Sequence, residues 1–253
     1  METTKLKGRM ADKLTGLEQA AQSETALSPL NSRYAALSGN ALEIIRDNLK
    51  NQALTLDLFD IVKSPSGGST VFAVPGLSGE DAERELTGIV LDYTTPRAYW
   101  DTPDPVEGTP PVCMSENSII SSDGKACAYC HFNDFGSKDG ETNAKACKES
   151  VLLYLLRPNN ILPLLVRVPV TSKARFLKYT ARLAGALTPV TGVITRITLE
   201  KATSKGGKPY ALFNFEAVGT LSPSEAASAK AYARQFMEIV STAAVIPELA
   251  EAS

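Results

Sequence analysis

Histidine is almost missing from this chain: His131 is the single one among 253 residues. It directly follows Cys130 in a cysteine-bearing stretch, which leaves no imidazole free to act as base for a Ser or Cys nucleophile. The two-histidine HExxH helix of metalloproteases is excluded outright, and no Gly-rich phosphate loop of the Walker type is present. Apolar runs near the roughly 20 residues that span a bilayer are also missing. The start, METTKLKGRMADKLTG, has basic residues but no apolar stretch behind them, so no secretory signal is read there and a cytoplasmic chain is expected. These absences lead to the expectation that the protein is not an enzyme and does not bind a membrane. An acidic cluster, Asp101, Asp104 and Glu107, is the one alternative, as a divalent-ion site of a nuclease. Its setting among prolines reads more simply as solvated loop.

A hydrophobic fraction of 43% and a charged fraction of 21% are those of a globular chain able to bury a core. Charge is unevenly spread. Arg157 to Lys208 holds ten basic residues and one acid, Glu200, so it carries +9 and leaves −11 for the rest of a chain whose total is −2. Such asymmetry points to a polyanionic partner for one face, or to a solvated basic surface.

Periodicity divides the chain in three. Residues 1–54 read as a helical amino-terminal arm, with Leu14, Leu17 and Ala21 on one face and a second helical run from Ala41 to Gln52. Residues 55–220 read as mainly β. Leu56–Val62 and Ser69–Pro75 are strand candidates joined by SPSGG as a hairpin. A longer strand begins at Leu86 and ends near Trp100. Short apolar runs at Val151–Leu156 and Ile161–Val170 read as buried strands. A helix follows, with Thr171 or Ser172 as its cap. Alternating strands at Gly192–Ala202 and Pro209–Val218 close this part around the turn TSKGGK. Residues 221–253 read as a helix capped by Ser222, then a short acidic tail with Glu248 and Glu251.

From Leu86 the order is strand, long insertion (101–149), strand, strand, helix, strand, strand. That order predicts an α+β, mainly β fold: an oligonucleotide/oligosaccharide-binding (OB) five-stranded barrel with flanking helices and an insertion between its first two strands. In this fold the first-to-second and fourth-to-fifth loops flank the ligand groove, and here they are the unusual segments.

All four cysteines fall in the insertion, spaced Cys113-x13-Cys127-x2-Cys130-x16-Cys147. The segment is rich in Gly, Ser, Asn and Asp and has almost no apolar periodicity, so something must hold it. Four thiolates around a CxxC knuckle suit tetrahedral Zn2+, closed and structural. An iron–sulfur cluster uses the same ligands. Disulfides fit a reducing compartment poorly, and a thioredoxin-type redox pair wants its CxxC at the start of a helix. His131 stands beside the set as a neighbour rather than a ligand.

Single strands are held by cations along phosphates and rings against bases. The candidates are Arg97, Tyr99 and Trp100 at the end of the first barrel strand, Tyr129, Phe132 and Lys138 in the insertion, and Arg196, Lys201, Lys205, Lys208 and Tyr210 around the last hairpin. For Trp100 and Phe132 the competing role is the small core under the cysteine loop.

Cys113, Asp123-Gly124, Cys127, Cys130, Phe135-Gly136-Ser137 and Lys145-Ala146-Cys147, preceded by TPRAYW and followed by VPVTSKARFLKYTARL, resemble the pattern of an uncharacterised phage and mobile-element family. The resemblance covers roughly Leu56 to Phe236. It implies similarity to phage single-stranded DNA-binding proteins that pair an OB barrel with a zinc loop, and hence DNA replication or recombination proteins as partners, a homo-oligomer, and the host cytoplasm as location. The tail here is short for tail-mediated recruitment. The expected function is therefore a non-catalytic single-stranded DNA-binding protein with a structural zinc, RNA being the alternative ligand. The rival is a zinc-containing adaptor for replication or transcription machinery.

Overall fold

Alternation along the strands sorts side chains onto the two faces of one curled sheet, and both faces are covered. In the computed structural model, which describes residues 33–38, 41–50, 52, 54–102, 109–140, 143–204 and 206–241, the central strands are β4 (Glu85–Thr94) and β7 (Lys148–Leu156). Val151, Leu153 and Leu155 of β7 join one core, and Leu152, Tyr154 and Leu156 join the other. This is the period of two expected of a strand buried on both sides.

The remaining strands are β1 (Ile61–Val62), β2 (Phe72–Gly76), β3 (Gly79–Glu83), β5 (Arg97–Tyr99), β6 (Cys113–Ser115), β8 (Leu164–Pro169), β9 (Val193–Thr203) and β10 (Pro209–Thr220). The helices are α1 (Ala41–Leu49), α2 (Val170–Gly185) and α3 (Pro223–Ser241). The sheet runs β1-β8-β7-β4-β9-β10, with β5 and β6 attached beside β7. The fold is thus mixed α+β and mainly strand. The five strands expected from the sequence lie in the path third-second-first-fourth-fifth, with α2 between the third and fourth.

The edges of that path are where the physics is specific. The outer edge of β8 takes β1 in parallel. Among the described residues the outer edge of β10 takes no strand. It meets the first turn of α2, where the fully buried Ser172 hydroxyl accepts the Phe213 N–H at 3.0 Å. Arg175 of the same helix donates to Asn214 and to Glu200, the latter at 2.9 Å. At the centre, β4 passes from β9 to β7 at Gly88. A Cβ there would sit 2.4 Å from the Leu156 carbonyl oxygen, a closeness only glycine permits.

One core lies beneath α2 and β2 and includes Phe72, Leu86, Val90, Phe176 and Phe213. The other lies beneath α3 and includes Phe59, Ile89, Leu91, Tyr232 and Phe236. Tyr34, Ala36, Ala41 and Ile45 belong to this second core. The described part of the amino-terminal arm is therefore docked on the sheet, while Leu14, Leu17 and Ala21, like Glu248 and Glu251 of the tail, lie outside the described residues.

Three boundaries depart from the sequence reading. The SPSGG hairpin does not form: β1 pairs with β8, and β2 pairs with β3 through the turn at Gly76–Gly79. The two residues of β1 spend their ladder on Leu165 and Val166 of β8, and β2 spends its own on β3. Ser66–Gly68 instead forms a turn packed against Lys201 and Tyr210. The long first strand breaks into β4 and β5 at Pro96, which has no N–H for a ladder. The acidic β3 carries no alternation, so periodicity does not reveal it. No helix among the described residues is long and apolar enough to cross a membrane.

Candidate metal and nucleic-acid site

The insertion leaves the sheet at the carboxyl end of β4 and is laced to it by short ladders. β5 pairs with the first residues of β7 (Arg97 with Glu149, Ala98 with Lys148) and on its other edge with β6, which sets Tyr99 opposite Cys113. Backbone bonds then draw in the other cysteines. The Cys127 N–H donates to the Ile119 carbonyl at 2.8 Å, Cys130 N–H to Cys127 at 3.3 Å, and Cys147 N–H to Phe132 at 2.8 Å. Asn117 receives the Ile119 and Ile120 amides on its side-chain oxygen, and Asn133 donates to the Cys127 carbonyl. Polar side chains and short ladders thus order a loop that has no apolar core.

All four cysteines, Cys113, Cys127, Cys130 and Cys147, line one cavity of about 680 Å3, and all four are free thiols. Burial pushes the Cys147 thiol up to about 11, with the other three thiols adding to the rise and Arg97 opposing it. Cys113 is raised for the same first reason, then by Asp123, Cys130 and Cys127. Without a cation, burial favours the uncharged form of Cys113 and Cys147. As placed, no three His, Cys, Asp or Glu side chains among the described residues converge as a metal-holding group. The donor set fits a thiophilic ion in chemistry, four thiols with the Asp123 carboxylate beside Cys113 in the same cavity, while its sulfurs are not drawn together around one point.

Arg97 is held inside the site. It pairs with Glu149 at 3.1 Å and donates to Asn133, and its buried Nε has no hydrogen-bond partner among the described residues. Lys145 reaches the same Asn133 oxygen at 3.0 Å, and Lys173 pairs with Glu149. Arg97 therefore supports the knuckle from within. Trp100 is 8% exposed and donates its indole N–H to the Thr109 carbonyl at 2.8 Å, the small-core role. Tyr99 and Phe132 stack, ring centroids 3.8 Å apart and planes 15° from parallel. Around them the rim is bare: Tyr129 is 92% exposed, Phe135 75% and Phe132 36%, with the Lys145 ammonium 4.4 Å from the Phe135 ring centre.

Tyr99, Trp100, Phe132 and Lys138 share a second, smaller cavity with Asp101 and Lys148. Lys148 is a site residue that sequence reasoning misses; its place beside Cys147 at the head of an alternating strand is the signal that could find it. Asp104, Glu107 and Lys205 lie outside the described residues.

The hairpin candidates stand elsewhere. Glu85, at the amino end of β4, pairs with Thr198, whereas Thr94, at its carboxyl end, pairs with Leu152. The β9–β10 turn therefore lies beyond the opposite end of β4 from the insertion. Lys201 and Lys208 are exposed there, and Tyr210 is half-buried. No residue of β9 or β10 lines either cavity of the insertion. Arg196 is bound by Glu216 at 2.8 Å and Glu85 at 3.8 Å. Three of the ten basic residues of the stretch are paired with acids from outside it: Arg157 with Glu83 and Lys173 with Glu149, besides Arg196. Its +9 is not a free positive face.

Comparison with protein-family models, curated proteins and solved structures gives no match for this chain.

Proposed function

We propose that this chain is a non-catalytic single-stranded DNA-binding protein, an OB-type barrel whose cysteine insertion is closed by one structural zinc ion. The observation that carries the reading is the rim of the insertion, where Tyr129, Phe132 and Phe135 stay exposed on a polar loop. Exposed rings gain little from folding, whereas a stacked base returns roughly 1–3 kcal/mol per ring. Lys138 lies exposed on the same loop to meet phosphates, whereas the exposed Lys125 is paired with Asp123 at 2.6 Å.

Two further features support it. The path β8-β7-β4-β9-β10 with α2 between the third and fourth strands is OB order, and α2 stands at the gap between the third and fifth strands. Cys113, Cys127, Cys130 and Cys147 would hold the ion, whose part is to fix the knuckle without an open position for water. Contacts divide between the insertion and the β9–β10 turn with Lys201, Lys205, Lys208 and Tyr210. A strand touching both must run the length of β4, whose 10 residues span about 33 Å.

Titration of labelled single-stranded DNA, duplex and RNA by fluorescence anisotropy tests the reading, with elemental analysis of the same sample for zinc. Single strands should bind at low salt and dissociate steeply as salt rises, because phosphate contacts release counterions. Failure to bind at low salt overturns it. The adaptor reading is favoured by one observation: Val112, Ile119 and Ile120 are exposed aliphatics on the same insertion, which suit a protein surface better than a nucleic acid. It would gain if strands fail to bind and zinc is present.

A further inference from the structure

Tyr99 and Phe132, whose stacked rings wall the cysteine cavity, also wall the second cavity, of about 300 Å3. Lys148 enters it from the first position of β7, opposite Ala98. It is half-buried, and among the described residues no ion pair or side-chain hydrogen bond meets its ammonium. Lys138 lines the same space, and a half-buried ammonium left without an anion is costly. Asp101 and Asp139 also line the space, so its lining is formally neutral and the aromatic wall must supply much of the affinity for a nucleotide. Flat aromatic walls, paired lysines and this volume fit one nucleotide.

We propose that this cavity is a nucleotide subsite, with one phosphate between Lys138 and Lys148 and the attached base against the Tyr99–Phe132 wall. The subsite deepens the single-strand reading and rests on it only for the source of the nucleotide, since the same chemistry would take a free monophosphate. Trp100, the sole tryptophan, lines the cavity, so its emission reports occupancy.

The full chain is titrated with a deoxynucleoside monophosphate, the matching nucleoside, inorganic phosphate and a single-stranded oligonucleotide, in the parent, Lys148→Met, Lys148→Arg and Lys138→Met. The monophosphate should change Trp100 emission. The nucleoside and phosphate should each bind about ten-fold more weakly or worse, Lys148→Met should lose about ten-fold, and Lys148→Arg should retain binding. Lys138 is exposed, so Lys138→Met carries the same test if Lys148→Met misfolds. Monophosphate binding unchanged in both methionine variants, or matched by the bare nucleoside, overturns the subsite. Strand binding with no response to monophosphate overturns the subsite and leaves the strand reading intact. Monophosphate binding without strand binding overturns the strand reading and leaves the subsite.

Discussion

Replacing Ser172 by alanine probes how the open edge of the sheet is sealed. Among the described residues β10 has β9 on one side and no strand on the other, and the Phe213 N–H on that free edge is met by the Ser172 hydroxyl at 3.0 Å. Both residues are 0% exposed, so water cannot take the hydroxyl's place without opening α2 from β10. The substitution removes little volume and leaves one buried donor unsatisfied, which costs about 1–3 kcal/mol. For a chain of this size each kcal/mol moves Tm by about 2–4 °C, so a fall on the order of 5 °C is expected. In denaturant the midpoint should drop with the slope unchanged, because the unfolded surface is the same. Amide exchange at Phe213 should quicken more than at its β9 partner Leu199. An unchanged midpoint together with unchanged Phe213 exchange would refute the idea that this hydroxyl stands in for a closing strand.

Gly88→Ala should be strongly destabilising, by about 1–3 kcal/mol or more in thermal melts, since its Cβ would meet the Leu156 carbonyl at 2.4 Å. Alkali should destabilise the fold over a defined window: burial pushes Tyr34, Tyr154 and Tyr232 up to about 12 from the ordinary tyrosine value of 10.0. Between those values the folded chain keeps protons that the unfolded chain has lost, so stability is intact below pH 10 and falls as pH rises toward 12; phenolate absorbance should show these three ionising only with unfolding. Tyr129→Ala should weaken single-strand binding by roughly 1–3 kcal/mol with no change in salt slope. Lys208→Glu should weaken all sequences alike and flatten the slope by roughly 0.7 for each phosphate no longer neutralised; both are read by anisotropy across a salt series.

Local pattern carries the fold wherever the determining contacts are local. Val193, Thr195 and Ile197 alternate as expected on β9, and the helix after β8 lies where its spacing puts it. It begins at Val170 with Pro169 at the cap position, so the expected caps Thr171 and Ser172 fall inside its first turn and Ser172 bonds Phe213 instead. The cysteine spacing likewise finds the four residues that share a cavity. What sequence does not show depends on partners distant along the chain. The basic stretch reads as free because its acids are remote, as with Arg157 and Glu83, 74 residues apart. The amino-terminal helix reads as an arm because it is short and its partners are remote in sequence: Ala41 and Ile45 are buried, and Leu42 and Leu49 pack partly buried against a core built by β4, β7 and α3. The hairpin expected at SPSGG is the converse: the turn is real, but the ladder belongs to β8. The two loops expected to flank one groove sit at opposite ends of β4, a relation set by register and invisible to periodicity.

Chelation should then separate what the insertion does from what the sheet does. Neither large core takes a residue from 101–149; the insertion adds only the small pair Ala98 and Trp100 at its root. Its order comes from backbone bonds at Cys127, Cys130 and Cys147 and from the half-buried Arg97–Glu149–Lys173 pairings. Segments that share few buried contacts with the body unfold on their own, at lower free energy than the whole. If an ion holds the four sulfurs, stripping it should loosen the rim, raising proteolysis and amide exchange between Cys113 and Cys147, and should weaken strand binding. The main thermal transition, which reports Phe176, Phe213 and Phe236 in their cores, should move little. A chelator that lowers that transition as far as it loosens the insertion would mean the loop is a strut of the fold, and the exposed rings at its rim would lose their standing as a binding surface set apart from it.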